Sequence, residues 1–341
     1  MESYNYKRAY SLVVGLPPST IPFGPLTLEQ HLEFTTTYDS EVDYRSVETA
    51  EAVEIQDLQM RAVIKGSDTK SVGESTAATI SVFNLSEEQI AKVSVIDAFV
   101  ILRAGYEFQL GEKRNYDSLP LIFTGQVMTS ETKFMGVDKV TTLTCKEGFT
   151  PASSAKVSLS IKSAELNQIP QTYTEVFNLL IDVWKANGVS VADYSIDYSR
   201  PMPKRSVPIG EAQIPFGWSY EGFLSDAMDD ACKPFGYTWY IANNILFIHS
   251  VEYKNFQKRF TLEENQTIDI KRNDDKSRGT SPSPNVSRIV VKTLLDGRVE
   301  RGSKLEIPFG KLKGLYSVNT ISYELDYRGQ NWYNETTCEV I

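Results

Sequence analysis

The segment from Ala77 to Val127 restricts the possible folds of this chain more than any other part of it. Residues 79–83, T-I-S-V-F, alternate polar and apolar side chains, as expected of a strand with one face in water. Ser86 and Gln89 follow with the S-x-x-Q spacing of a capping box, in which each side chain satisfies an end amide of a helix. The segment therefore predicts a strand that leads directly into a short helix.

Two further strands are predicted after that helix. The first covers Phe99 to Ala104, and Gly105-Tyr106 then opens a polar excursion. The second begins at Leu121 and contains Gly125, which predicts a bulge or a close approach of the backbone. Strand, helix, strand, loop and strand together predict a small closed sheet with a helix covering one side.

Most of the remaining chain also has the patterns of short strands. Gly, Pro and Asn turns separate them, which is typical of barrels built from antiparallel strands. Lys65 to Ser75 is predicted to be a hairpin loop. Further strands are predicted at 11–14, 32–37, 52–64, 139–145, 157–161, 260–270, 288–294, 304–307, 316–323 and 336–341.

The part between Pro151 and Ser250 has a different pattern. Apolar residues recur at helical spacing after Thr172 and Glu175, which predicts a capped amphipathic helix. A second helix is predicted after Ser219, with Phe223, Leu224, Ala227, Met228 and Ala231 on its buried face. The strands 237–241 and 245–248 flank Asn243-Asn244 and predict a hairpin, so this part is expected to be a small α+β unit.

The amino-acid sequences of several segments resemble those of one protein family. The phrases I-S-V-F-N-L-S-E-E-Q-I at 80–90, V-I-L-R-A-G-Y at 100–106 and L-I-F-T-G-Q-V at 121–127 resemble the first barrel of tail hub proteins from contractile-tailed bacteriophages. The segment 217–248 is similar to the middle of that family. G-L-Y-S-V-N-T-I-S-Y at 314–323 and G-Q-N-W-Y-N-E-T-T-C-E-V at 329–340 are similar to its last barrel.

The resemblance implies a mainly β fold with an α+β middle domain and two antiparallel barrels related to the tail tube. The implied domains are a first barrel at 1–150, the middle domain at 151–250 and a second barrel at 251–341. Whether 251–272 rejoins an earlier domain stays open. The resemblance also implies a structural role in the virion, as a homotrimeric baseplate hub that adapts a sixfold tail tube to a threefold central spike. The implied partners are the tube protein, the spike protein, other baseplate proteins, and genomic DNA that passes through the lumen without specific binding.

Composition limits the classes of function. At 341 residues, with 41% hydrophobic and 23% charged residues, the chain is predicted to be globular, and no apolar run is long enough to insert into a membrane. The N-terminal residues lack a signal-peptide core, so assembly in a host cytoplasm is expected. The net charge of −9 and the lack of a basic run argue against binding to nucleic acid. Cys145, Cys232 and Cys338 lie far apart, which predicts reduced thiols.

The sequence offers no catalytic, cofactor-binding or metal-binding residue, and the chain is not predicted to be an enzyme. His31 and His249 each stand alone among apolar neighbours, without the spacing of a zinc site. The acidic loop that starts at Asn273 fails as a calcium loop, because Arg278 stands where glycine is needed and Pro284 where glutamate is needed.

Two alternative functions stay open. One is another tail part, such as a distal tail or tube-terminator protein, which would contain only one tube-like unit. The other is a tail-associated peptidoglycan hydrolase, which would need two facing carboxylates. Asp226, Asp229 and Asp230 are the acidic residues that such an enzyme would use, but the sequence favours a solvated helix face for them and marks no facing pair.

Overall fold

A computed structural model describes thirteen parts of the chain. They are residues 6–15, 52–66, 75–96, 98–108, 116, 119–147, 155–162, 171–186, 189–191, 209–242, 245–250, 259–273 and 288–341. The strand predicted at 32–37, the histidine at position 31 and the acidic loop after Asn273 lie outside these residues.

The described residues form eighteen strands and three α-helices. The strands of the first half are β1 (Tyr6–Gly15), β2 (Val53–Ile55), β3 (Met60–Lys65), β4 (Ala77–Phe83), β5 (Phe99–Phe108), β6 (Leu121–Met135) and β7 (Asp138–Lys146). The middle contains β8 (Lys156–Ile161), β9 (Ser190–Val191), β10 (Trp218–Phe223), β11 (Tyr237–Ala242) and β12 (Ile245–Ser250). The last part contains β13 (Arg259–Thr261), β14 (Thr267–Asn273), β15 (Arg288–Leu294), β16 (Lys304–Ile307), β17 (Gly314–Asp326) and β18 (Trp332–Val340). The helices are α1 (Glu87–Val93), α2 (Tyr173–Ala186) and α3 (Leu224–Cys232), and short 3₁₀ helices lie at Ile209–Glu211, Lys233–Phe235 and Glu264–Gln266.

One large sheet contains the strands of both the first and the last part of the chain. Its strand order is β14-β15-β18-β17-β3-β4-β7-β6-β5-β1-β2, and β13 and β16 join it beside β17. Nearly all pairings in it are antiparallel, the exception being β13 with β16. The fold is therefore mainly β with an α+β middle part, as predicted. Among the described strands, no pairing closes either half into a ring, so the two barrels stay a prediction.

The strand order of the large sheet repeats. The strands β3, β4, β7, β6 and β5 pair in that order, and β14, β15, β18, β17 and β16 pair in the same order with the same antiparallel directions. A register shift lies at the same place in the β6–β7 pair and in the β17–β18 pair. Val127 pairs with Cys145 just before the shift in one repeat, and Val318 pairs with Cys338 just before it in the other. These five strands are thus topologically equivalent in the two halves of the sheet.

The segment that leads from β4 into α1 has the predicted local structure. Gln89 N–H donates to Ser86 Oγ at 3.2 Å, and Ser86 N–H donates to Gln89 Oε1 at 3.0 Å, which completes the capping box. Asn84 ends the strand with a φ of +59°, a conformation that asparagine tolerates better than most residues. Its side chain accepts from Lys139 N–H at 2.9 Å and donates to Asp138 at 2.8 Å, which holds the turn against β7.

Gly125 is needed because two strands approach each other closely. A Cβ at this position would lie 2.7 Å from the carbonyl oxygen of Lys146 and 2.6 Å from the ring of Phe123. We expect Gly125→Ala to lower the free energy of unfolding by about 1–3 kcal/mol through overpacking. Thr129→Ala, at an exposed position of the same strand, should cost less than about 1 kcal/mol. Urea denaturation of both variants measures the difference, and equal midpoints would contradict the close packing.

Several predicted boundaries were wrong. The strand predicted over 52–64 is two strands, because Asp57 between them takes a φ of +59°. The strand predicted over 260–270 is also two, separated by a 3₁₀ turn. β5 continues through Gly105 and Tyr106 to Phe108, because it pairs with β1 along its whole length.

Ser219 does not cap a helix. It lies in β10, which pairs with β8, and α3 begins only after Phe223. Phe223 is 40% exposed instead of buried, since it precedes the helix. The other four residues predicted for the buried face of this helix are buried, and Gly236 ends the segment with a φ of +68°.

The buried apolar residues form two clusters. One contains residues of the large sheet from both halves of the chain, from Tyr10 to Cys338. The other lies in the middle part and packs α2 and α3 against β11 and β12, around Trp184 and Trp239. The predicted hairpin of β11 and β12 is confirmed, although the two asparagines at its turn lie outside the described residues. The domain boundaries stay a prediction.

Candidate assembly surface

The two halves of the large sheet meet where β17 pairs with β3, and we call this pairing the seam. Its register runs from Ser322 opposite Lys65 to Asp326 opposite Arg61. Gly66 N–H adds one more bond, to the carbonyl oxygen of Ile321 at 3.0 Å. Since every second side chain of an antiparallel strand points to the same face, the seam has a buried face and an open face.

Asp326 anchors the open face of the seam. It accepts from Arg61 Nε at 3.1 Å and from Gln59 Nε2 at 2.6 Å. Its own backbone carbonyl accepts from Arg8 at 3.0 Å, and Arg8 also donates to the carbonyl oxygen of Gln330. The end of β17 is therefore bound by residues from β1 and β3, in the other half of the chain.

Asp57 also binds the end of β17, at the turn between β17 and β18. It accepts from the hydroxyl of Tyr327 at 2.9 Å and from that of Tyr116 at 3.1 Å. Its carbonyl oxygen accepts from Arg328 at 3.2 Å. The left-handed backbone of Asp57 thus belongs to a contact between the halves, which gives a physical reason for the break in the predicted strand.

Trp332 lies at the centre of this contact on the buried side. It is 2% exposed, and its Nε1–H donates to the carbonyl oxygen of Gly105 at 3.2 Å. Its own carbonyl oxygen accepts from the hydroxyl of Tyr106 at 3.2 Å, and the guanidinium of Arg8 lies 5.7 Å from its ring centroid. Burial raises the pKa of Tyr106.

The far end of the β6–β7 hairpin is exposed, and among the described strands β6 has no partner on its outer edge beyond Gln126. Residues 131–137 are all exposed, and its tip has three large apolar side chains. Phe134 is 76% exposed, Met135 62% and Val137 97%. Scattered apolar side chains are ordinary on a protein surface, but three large ones within four residues of one hairpin end suggest a contact site.

The middle part contacts the sheet through Arg301. Its guanidinium lies 4.3 Å from the ring centroid of Tyr240 and donates to the carbonyl oxygen of Ile241. The hydroxyl of Tyr240 donates back to the carbonyl oxygen of Arg301 at 3.4 Å, and Ser75 forms a bridge with Ile241. These contacts attach β11 to both halves of the sheet.

The residues considered for chemistry belong to elements other than the seam strands β3 and β17. Asp226 and Asp230 are exposed on α3, while Asp229 is half-buried and accepts from Trp239 Nε1 at 2.5 Å. Burial raises the pKa of Asp229. Cys145, Cys232 and Cys338 are free and buried. Within the described ranges, no group of three or more His, Cys, Asp or Glu residues could hold a metal ion.

Two tail proteins are among the solved structures whose fold is similar to this one. A tail protein from Neisseria meningitidis MC58 superposes with a TM-score of 0.52 at 9% identity, over 98% of this chain and 97% of that one. The 43 kDa tail protein of prophage MuSo2 from Shewanella oneidensis superposes with a TM-score of 0.51 at 9% identity, over 84% of this chain and 95% of that one. The chain shares the fold of these tail proteins.

At 9% identity this likeness concerns the fold alone. No family model matches the sequence. No curated protein matches it either. In the part of the chain that the structure describes, no helix is both long and apolar enough to cross a membrane.

Proposed function

We propose that this protein is a structural component of a phage-type tail, and more finely the hub of a contractile-tail baseplate. Three copies form a ring above the central spike and below the tail tube. Each copy supplies two similar units, so the ring presents six units to a sixfold tube and keeps threefold symmetry for the spike. The protein then belongs to the virion, where it also contacts other baseplate proteins and leaves a channel for DNA.

The repeated strand order of the large sheet is the observation that carries this proposal. A threefold ring binds a sixfold ring in an equivalent way only if each chain presents two similar surfaces. The two halves share strand order, strand direction and the position of the register shift. The shared fold with two tail proteins supports the same assignment.

The charge of the chain suits a channel for DNA. Three copies at −9 each have a net charge of −27. Only charges that face the channel act on DNA, since screening limits their reach to roughly 8 Å at physiological salt. We expect labelled duplex DNA to show no change in fluorescence anisotropy with the purified protein at that salt concentration. Tight binding would contradict a channel through which DNA slides.

The oligomeric state and shape test the proposal directly. We expect light scattering to give the mass of three chains of 38.4 kDa, and negative-stain class averages to show a ring with threefold symmetry. Contacts of this obligate kind bury on the order of 2,000–5,000 Å². A particle without threefold order would overturn the hub assignment and favour another tail part, such as a distal tail or tube-terminator protein.

A cell-wall zymogram tests the enzymatic alternative. A peptidoglycan hydrolase would clear the wall around the protein band, and the clearing would disappear when a catalytic carboxylate is replaced. We expect no clearing. The carboxylate of Asp229 accepts a hydrogen bond from Trp239, so a structural contact accounts for its partial burial.

A further inference from the structure

We propose that copies of this chain join head to tail by pairing β6 of one copy, in antiparallel direction, with β14 of the next. The proposal rests on the proposed ring and names the strands that close it. Its basis is the seam, because the seam shows how one repeat pairs with the other within a single chain.

The repeat defines which strand should find which partner. In the seam, the C-terminal part of β17 pairs with β3, which is the first strand of the other five-strand repeat. The equivalent of β17 is β6, and the equivalent of β3 is β14. Among the described strands, the segment 128–135 pairs only with β7, and β14 pairs only with β15. Each chain therefore contains both strands of the expected second seam. β14 lies at one end of the strand order of the large sheet, and β6 lies towards the other end.

The register follows from the shared position of the shift. Val127 corresponds to Val318, so Lys133 corresponds to Glu324, and Lys271 corresponds to Val63. Glu324 is opposite Val63 in the seam. Lys133 should therefore lie opposite Lys271 of the next copy, and the neighbouring positions follow from antiparallel pairing.

The exposure of the hairpin fits this register. Phe134 is 76% exposed, whereas its counterpart in the seam, Leu325, is 2% exposed and lies opposite the buried Ala62. In the expected pairing, Phe134 lies opposite Ile270, close to Ile268, which is 51% exposed. The new seam would therefore bury Phe134, which the single chain leaves in water.

The charges of the two strands are complementary along the diagonals, while Lys133 and Lys271 lie directly opposite each other. Lys133 is 2.7 Å from Glu131 on β6, and Lys271 is 2.7 Å from Asp269 on β14. In the expected register Glu131 lies diagonally opposite Lys271, and Lys133 lies diagonally opposite Asp269. Diagonal neighbours on an antiparallel pair are within reach of long side chains. Each lysine would then lie between the carboxylates of Glu131 and Asp269. These two negative charges offset the repulsion between the two directly opposite lysines.

Cysteine cross-linking tests the pairing. The double variant Lys133→Cys/Lys271→Cys places two thiols directly opposite each other between copies, within the range that a disulfide spans. The off-register control Glu131→Cys/Asp269→Cys separates its thiols by four residues along the strands, about 14 Å. The three native cysteines are buried and free, so they should not interfere. All four substituted side chains are at least 42% exposed, so folding should be unaffected.

We expect mild oxidation to convert most of the in-register variant into covalent trimers, and the control to stay monomeric on denaturing gels. A mixture of the two single variants should stop at dimers. Native-state trimers without this cross-link would overturn the pairing and leave the ring intact. A ladder that continues beyond trimers would support the pairing and overturn the closed ring. Monomers in both measurements would overturn both.

Discussion

Trp332→Ala is expected to destabilise the protein by about 3–5 kcal/mol, the usual cost of removing a buried aromatic ring and leaving a cavity. The substitution also leaves the carbonyl oxygen of Gly105 without its donor and removes the ring that Arg8 faces. Because Trp332 is in the second half and Gly105 in the first, the loss should weaken the attachment of one half to the other. Urea denaturation followed by far-UV circular dichroism measures the change.

Phe216→Ala provides the matched control. Phe216 is 94% exposed in a turn of the middle part, so its loss should change the free energy of unfolding by less than about 0.5 kcal/mol. Trp332→Phe separates packing from hydrogen bonding, since it keeps most of the ring and removes only the donor. We expect it to cost less than the alanine variant. If Trp332→Ala and Phe216→Ala had similar midpoints, the two halves would not depend on Trp332 for their attachment.

The strands of the large sheet could be predicted where one face is wet and the other buried. The bounds predicted for β15 and β16 agree with the structure, and the burial of their side chains alternates along the strands. The capping box at Ser86 was also predictable, since both its hydrogen bonds join residues three apart. Such signals are local, so the sequence contains them in full.

The errors occur where distant residues override a local signal. Ser219 precedes an apolar run, as a helix cap does, but pairing with β8 draws it into a strand. Asp57 interrupts a good strand pattern because Tyr116, Tyr327 and Arg328 bind it from elsewhere in the chain. The seam has no local signal at all, since its two strands are at opposite ends of the sequence and each has an ordinary alternating pattern.

The far end of β6 differs from the other strands for a related reason. Its residues 131–135 are all exposed, so no alternation of burial marks them as part of a sheet. Its counterpart in β17 alternates between buried and half-buried positions because β3 covers it. In a single chain, a strand whose second partner belongs to another copy should have exposed side chains on both faces, as residues 131–135 do.

Reversing the charge of Glu131 should weaken assembly while leaving each chain folded. Glu131 is 62% exposed, and in the expected pairing it lies diagonally opposite Lys271. Glu131→Lys places two lysines at this contact and leaves the directly opposite pair of Lys133 and Lys271 unchanged. Each exposed pair contributes about 0.2–1 kcal/mol, so turning one attractive contact into a repulsive one costs roughly 0.4–2 kcal/mol per junction. We expect the dissociation constant to rise roughly 2- to 30-fold at each junction, which sedimentation velocity can measure.

Adding Lys271→Glu to Glu131→Lys should restore assembly. The diagonal contact then again joins opposite charges, and Lys133 lies opposite a glutamate instead of a lysine. A merely destabilised fold could not be rescued in this way, so the double variant separates contact from stability. The effect of Glu131→Lys should shrink in high salt, where exposed charges are screened. Assembly that stays equally strong in Glu131→Lys, or equally weak in the double variant, would mean that β6 and β14 do not face each other between copies.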